Sequence, residues 1–342
     1  MRILIVKLSS LGDVIHTLPV LVDIKKNIPN AQIHWVVEPS FASLLERHPL
    51  IDKVIVCPLR MWLKNRFDAP SRAMAKTFLG VLREDAYDYV LDLQGLTKSA
   101  LIARCALLSP KGQRVAMANQ TQGSSYEAMT RWLSTLAYAL PAHIDAVARS
   151  RMLCAKTFNY ELPTDLEFGL LSSRSASPFE AMVQSGVQTG HEDQSPQVLL
   201  IHGTSRADKS WPFSHWVDLS NRLIESGNEV CVTYAGEEEL AFVQTLRQQV
   251  KDITLWPQQS IGDLSQSMRN LMGAIGVDSG VSHLAVALNL AHVQIYNFPT
   301  QWRTGPLHRP YQVSVFDTPT PSVEAVWLEW CKVIKIKRSE PC

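Results

Sequence analysis

Residues 197–227 read QVLLIHGTSRADKSWPFSHWVDLSNRLIESG, and the order of their parts decides the fold. QVLLIHG is an apolar run without alternation, which predicts a strand covered on both faces. PFSHWVDLSNRLIESG predicts a helix. Between them lies a corner holding a hydroxyl pair (Thr204, Ser205), three basic side chains (His202, Arg206, Lys209) and Trp211. A buried strand that leads through a polar corner into a helix is the unit from which parallel sheets are built.

The same alternation runs through the chain on both sides of this segment. RILIVKL (2–8), IHWVVE (33–38), DKVIV (52–56) and YDYVLDL (87–93) precede it, separated by stretches of helical periodicity. EVCVTYAG (229–236), MGAIGVD (272–278) and HVQIYNF (292–298) follow it. Two parallel sheets, each covered by helices, are therefore expected, and 342 residues suffice for two cores of about 150 residues each. Residues 172–197 are polar and rich in Ser, Gly and Gln, so they are read as a linker between a domain at 1–171 and another at 198–320. A last helix is expected at 321–338, with Ser322 as N-cap and Val323, Val326, Trp327, Trp330 and Ile334 on one stripe. That stripe either seals the second domain or braces both.

Composition narrows the function. A chain 46% hydrophobic and 19% charged is ordinary for a globular protein. The six cysteines are scattered, without Cys-x-x-Cys or a histidine cluster, so neither disulfides nor a structural metal is expected. The apolar run before Lys7 is too short for a signal core, and no run approaches a membrane span. The net charge of +1 hides an asymmetry: residues 1–150 hold 18 Lys and Arg against 12 Asp and Glu, and the remainder 15 against 20. The first half is accordingly expected to meet an anionic partner, with chance distribution over two solvated surfaces as the alternative.

Three places are suited to chemistry. In KLSSLGDVIHTLP (7–19) a strand passes through a one-glycine turn into a helix, and Asp13 stands in its first turn. Asp13 reads either as a carboxylate favouring the helix dipole or as a general base at the carboxyl edge of a sheet. His16, one turn on, is placed to assist or to pack. In VDSGVSHLAVALNL (277–290), Ser279 and Gly280 open a helix that suits an anion, Asp278 is read as fixing the turn through backbone N–H groups, and His283 lies on the same rim. The plainer reading is an Asp-capped helix with an incidental histidine. At the opening corner, Thr204, Ser205 and Lys209 suit a diphosphate whose charge grows as it leaves. The dinucleotide fingerprint G-x-G-x-x-G is missing, which disfavours a nicotinamide oxidoreductase, and no Asp-x-Asp spacing offers a divalent-ion site.

Four segments in order, VKLSSLGDVIHTLP (6–19), DLQGLTKSALIAR (92–104), HGTSRADKSWP (202–212) and VDSGVSHLAVAL (277–288), resemble glycosyltransferase family 9, the bacterial heptosyltransferases. The form SSLGDVIHTLP resembles the first enzyme of that pathway more than the second. The resemblance implies an α/β GT-B fold, with two Rossmann-like parallel-sheet domains facing across a cleft. It implies inverting, metal-independent transfer with no cofactor, from ADP-L-glycero-D-manno-heptose to the Kdo of Kdo2-lipid A in lipopolysaccharide inner-core synthesis. Asp13 matches the family's base. Thr204, Ser205, Lys209, Glu239, Asp278, Ser279, Gly280 and His283 match the donor site, with the register of Glu239 against Glu237 and Glu238 left open. Ser10, Gly12, Arg60, Lys64 and Arg66 match the acceptor side, although Met61 and Leu63 stand where arginines are usual.

An acceptor held in a membrane implies a cytoplasmic protein that visits the inner leaflet peripherally. RMWLKNRFDAPSRAMAK (60–76) offers that surface Arg60, Lys64, Arg66, Arg72 and Lys76 beside Trp62 and Phe67. The alternative for this stretch is an ordinary solvated helix with two core aromatics. No nucleic-acid partner is expected. The rival functions are another nucleotide-sugar transferase and a nucleotide-binding relative without catalysis.

Overall fold

Every residue from Ile3 to Val6 is buried, as an apolar run without alternation requires, and Arg2–Val6 forms the central strand β1. The computed structural model describes residues 1–65, 68–171 and 196–339. It falls into two units, Met1–Ser172 and Ser173–Cys342. In the first, β1 is joined by β2 (Gln32–Val37), β3 (Lys53–Val56), β4 (Ala86–Asp92), β5 (Leu107–Met117) and β6 (Leu136–Tyr138). All pairings are parallel and the order is β3-β2-β1-β4-β5-β6.

The second unit repeats the plan with β7 (Gln197–Ile201), β8 (Glu229–Val232), β9 (Ile253–Leu255), β10 (Gly273–Val277), β11 (Ala291–Tyr296) and β12 (Gln312–Phe316). Its order, β12-β11-β10-β7-β8-β9, is the same doubly wound arrangement counted from β7. The eight strands expected from apolar runs are all present. The other four were hidden: β5 contains Pro110 and Gly112, β6 and β9 have three residues each, and β12 is an edge strand that alternates apolar with polar residues and is only partly buried. The expected linker lies outside the described residues from 172 to 195, and its last residue, Gln197, already belongs to β7.

Helix Phe213–Glu225 follows the corner and buries Trp216, Leu219 and Leu223 against the second sheet. Helix Val323–Ser339 is capped by Ser322, whose hydroxyl oxygen accepts the Ala325 N–H at 3.2 Å. It packs on β11 and β12 of its own unit, with Val326, Trp330 and Val333 in the core. Five cysteines fall among the described residues and all are free thiols; Cys342 lies outside them.

One buried ion pair staples the first unit. Arg151, on helix Ala146–Phe158, donates from Nε and Nη2 to both carboxylate oxygens of Asp23 at 2.7 and 3.0 Å, and Nη2 also donates to the carbonyls of Pro163 and Asp165. Both side chains are almost wholly buried, so removing one strands the other's charge. Arg151→Leu should cost about 3–5 kcal/mol of stability. Chemical denaturation of the full chain measures this, and a loss below about 1 kcal/mol, the scale of a surface pair, would show that the pair does not hold the unit.

Candidate active site

In an open parallel sheet, ligands sit beyond the carboxyl ends of the strands where the strand order reverses. That point lies between β1 and β4 in the first unit and between β7 and β10 in the second. The expected residues with the sharpest chemistry stand at these two points.

Beyond β1, the turn at Leu8–Ser10 is held by Gln94 from the β4 exit. Gln94 Oε1 accepts the N–H groups of Leu8 and Ser9 at 2.9 and 3.2 Å, and its Nε2 donates to the Ser9 carbonyl at 2.6 Å. Asp92 fixes Gln94 in turn, since its Oδ1 accepts the N–H groups of Gln94 and Gly95 at 3.1 Å each. Helix Leu11–Thr17 then begins with Asp13 in its first turn.

Asp13 Oδ2 receives the Ser10 N–H at 3.2 Å and the Ser10 hydroxyl at 3.0 Å. Its Oδ1 faces two cations, Lys7 Nζ at 3.6 Å and Arg149 Nη2 at 3.7 Å. Burial pushes the Asp13 carboxyl up, but Lys7, then Arg149 and His16, outweigh it and hold the group well below the usual carboxylate range. The side chain nevertheless remains 37% exposed, whereas Lys7 beneath it is 1% exposed and donates to the Leu93 carbonyl at 2.8 Å. This is an ionised carboxylate, open on one face, standing on buried positive charge. His16 is buried one turn along.

The acceptor-side candidates divide. Ser10 spends its hydroxyl on Asp13, and Gly12 lies in the same helical turn. Arg60 and Lys64 are exposed on helix Leu59–Lys64 after β3, on the same edge of the sheet but two strands from β1, or about 10 Å. The Arg60 N–H is anchored to Glu38 Oε1 at 3.2 Å. Arg66 and Phe67 lie outside the described residues. Trp62 corrects an expectation: it packs inward on Phe78, ring centroids 5.3 Å apart, and is not an outward aromatic.

Beyond β7 and β10 the polarity is reversed. Asp278 is buried, and its Oδ2 accepts Lys209 Nζ at 2.6 Å while Oδ1 faces His283 Nε2 at 3.4 Å and the Thr304 hydroxyl at 3.4 Å. Burial pushes its carboxyl up, but His283 and Lys209 outweigh that and hold it well below the usual range. The expectation that Asp278 binds backbone N–H groups is thereby corrected. It is the hub of a side-chain cluster, because a charge this deeply buried needs charged partners.

Around that hub, the Thr204 hydroxyl is buried without a partner and Ser205 is exposed. Ser279 stands at the N-cap of helix Gly280–Ala287. The helix can approach the sheet because Gly276 has no side chain: a Cβ there would lie 2.5 Å from Ser282 Oγ and 2.6 Å from Ile201 Cβ. Glu239 rests against the bare backbone of Gly203, where a Cβ would come within 2.3 Å of its Oε1, and its Oε2 accepts the Ala235 N–H at 2.7 Å. Glu237 and Glu238 are exposed, so Glu239 is the acid of the three that reaches the β7 exit.

Sequence reasoning gave no role to Lys7, Gln94, Asp92, Arg149 and His202. Lys7 was visible as a charge ending an apolar strand, and Gln94 and Asp92 lay in a quoted segment without a role. Arg149, 136 positions from Asp13, had no local signal. His202 stacks on Phe242 with ring centroids 4.4 Å apart, both ring nitrogens lack a partner, and burial pushes it down to about 4. Among the described residues no group of three or more His, Cys, Asp or Glu is arranged to hold a metal.

Comparison with known proteins supports the fold and gives the family. Residues 77–328 match the family described as Glycosyltransferase family 9 (heptosyltransferase). The chain is 32% identical over 301 residues to lipopolysaccharide heptosyltransferase 1 of Escherichia coli K12, covering 86% of this chain and 88% of that protein. The structure of E. coli heptosyltransferase WaaC with ADP superposes with a TM-score of 0.81 at 28% identity, covering 96% of this chain and 98% of that one. The same enzyme with ADP-2-deoxy-2-fluoro heptose gives 0.78, covering 99% and 100%.

The charge arrangement at Asp13 is directly testable. In Lys7→Met the Asp13 carboxyl should titrate higher than in the unaltered protein, because the strongest of the cationic influences that hold it down is gone. Carbon-13 NMR of labelled aspartate follows the midpoint, and an unmoved midpoint would show that Lys7 does not set it.

Proposed function

The chain belongs to glycosyltransferase family 9, and from that premise we propose that it transfers L-glycero-D-manno-heptose from ADP-heptose to the Kdo of Kdo2-lipid A, with inversion and without a metal. It is an ADP-heptose-dependent glycosyltransferase with the GT-B fold, and it acts in building the lipopolysaccharide inner core. The acceptor, the residue roles and peripheral action at the cytoplasmic face of the inner membrane are our reading. Asp13, an ionised carboxylate open to solvent at a strand-order switch, is the observation that carries the mechanism.

In this mechanism the acceptor hydroxyl oxygen bonds to the anomeric carbon as the bond from that carbon to the diphosphate oxygen breaks. The electron pair leaves with ADP, and the hydroxyl proton passes to Asp13. Lys209, Thr204, Ser205 and the helix start at Ser279–Gly280 receive the growing diphosphate charge. Lys209 is held by Asp278, which aims the ammonium without neutralising its remaining donors. Glu239 meets the ribose hydroxyls, and His283 steadies Asp278 from behind. Arg60, Lys64 and Arg66 meet the anionic acceptor, with Ser10 and Gly12 shaping the turn beside it.

Asp13→Ala should fold normally and lose about 10²–10⁴-fold in kcat, with ADP affinity nearly unchanged, because a base acts in the transition state. Retention of more than about a tenth of kcat would remove Asp13 from that role. Neutralising Arg60 and Lys64 together should raise KM for Kdo2-lipid A and leave donor binding intact, with a weaker response to salt than the parent enzyme. A fall in donor affinity, or turnover on other truncated lipopolysaccharides in preference to Kdo2-lipid A, would overturn the acceptor assignment.

A further inference from the structure

Helix Thr97–Cys105 leaves the β4 exit and packs against the short helix Met129–Leu133. Lys98, Leu101 and Arg104 recur every third residue along the first helix and form one row. The second helix adds Met129, Arg131 and Trp132. Leu101 and Met129 are about half exposed, and Trp132, at 75%, is the most exposed large apolar side chain among the described residues. The Arg131 guanidinium lies 5.9 Å from the Trp132 ring centroid. The nearest acid in these segments, Glu127, is occupied by the Thr97 N–H at 2.8 Å, and its own N–H donates to the Gly95 carbonyl at 3.0 Å. The strip is thereby tied to the loop after β4, on the edge of the sheet that carries Asp13.

We propose that Lys98, Leu101, Arg104, Met129, Arg131 and Trp132 form the surface by which the first unit docks on an anionic lipid bilayer. An indole this exposed adds nothing to the core, but its apolar body and N–H suit the headgroup level of a membrane. Cations beside it reach anionic headgroups while Leu101 and Met129 enter the interface. A second copy is a poor occupant, because two-fold pairing would set the basic row against itself. The proposal draws on the lipid-linked acceptor reading only for its usefulness, and vesicle binding tests it without any acceptor.

The full chain is sedimented with phosphatidylcholine vesicles with and without phosphatidylglycerol, at low and at moderate salt. Binding should require phosphatidylglycerol. Arg104→Gln with Arg131→Gln should lower the partition coefficient about 25-fold, at about 1 kcal/mol per cation, and flatten its salt response. Trp132→Ala should lower it about tenfold while keeping that response. Vesicles with brominated acyl chains should quench a component of the tryptophan emission that Trp132→Phe lacks. Transfer to a deacylated, water-soluble acceptor should stay unchanged in each variant, which separates docking from catalysis. Equal binding to pure phosphatidylcholine, unaltered partition of the variants, or quenching that persists in Trp132→Phe would overturn the proposal. So would a dimer in vesicle-free sedimentation that Trp132→Ala dissociates, since the strip would then belong to a second copy.

Discussion

Lys7 brings an ammonium to the end of β1, where the neighbouring apolar side chains leave no water to solvate it. Burial lowers its pKa, and Asp13 is the largest influence in the other direction. A buried charge costs several kcal/mol unless partners surround it. Here they are the Leu93 carbonyl at 2.8 Å and the Asp13 carboxylate at 3.6 Å, with Asp92 adding a favourable field. Leu93 follows β4 and Asp13 belongs to the helix after β1. The ammonium is therefore satisfied only when β4 lies beside β1 and the intervening turn is closed. The Gln94 clamp closes the same turn from the β4 side, so the ammonium, the turn and the carboxylate are held together at the strand-order reversal.

The second unit meets the same requirement with the sign exchanged. There the buried charge is Asp278, and Lys209, His283 and Thr304 are drawn to it from the β7 exit, the following helix and the β11 exit. Equal strand orders thus produce complementary edges. One presents an ionised carboxylate above a buried cation and suits a hydroxyl that donates to it. The other presents a cation above a buried carboxylate and favours an anion. A transferase of a nucleotide-activated sugar needs both, and neither sheet edge has to change its architecture to supply them.

The sequence made the fold legible where burial is complete. Ile3–Val6, Val198–Ile201 and Gly273–Val277 carry no polar side chain, and such short runs bounded by turn residues suit a two-sided sheet position. Strands β6 and β9 have three residues each and β12 is only partly buried at its edge, so their local pattern resembles a loop. For the site, the turn residues Asp13, Thr204, Lys209 and Asp278 were legible because turns of fixed geometry concentrate chemistry into a few adjacent positions. Arg149 was not, because its contact with Asp13 spans most of a domain. Asp278 was legible as a site residue but not in its partners, which come from Lys209 and Thr304, far along the chain. Trp62 and Trp132 make the same point on the surface: a local basic-aromatic pattern does not say which ring turns inward onto Phe78 and which stays out.

The depressed pKa of Asp13 bears on how it would serve as the base in the proposed mechanism. A carboxylate flanked by Lys7 and Arg149 is a poor proton acceptor toward a free alcohol, so it cannot generate an alkoxide in the ground state. As the new bond to the anomeric carbon forms, however, the attacking oxygen becomes cationic and strongly acidic, and even a weak base then accepts its proton with a large driving force. Until that moment, in this mechanism, Asp13 would act as an ionised hydrogen-bond acceptor that orients the hydroxyl. After turnover the same two cations would return the proton to water, since the neutral carboxyl is the disfavoured form beside them. The field that weakens Asp13 as a base therefore keeps it ionised and returns it to that state, which suits a displacement whose difficulty lies in the departing diphosphate rather than in the deprotonation.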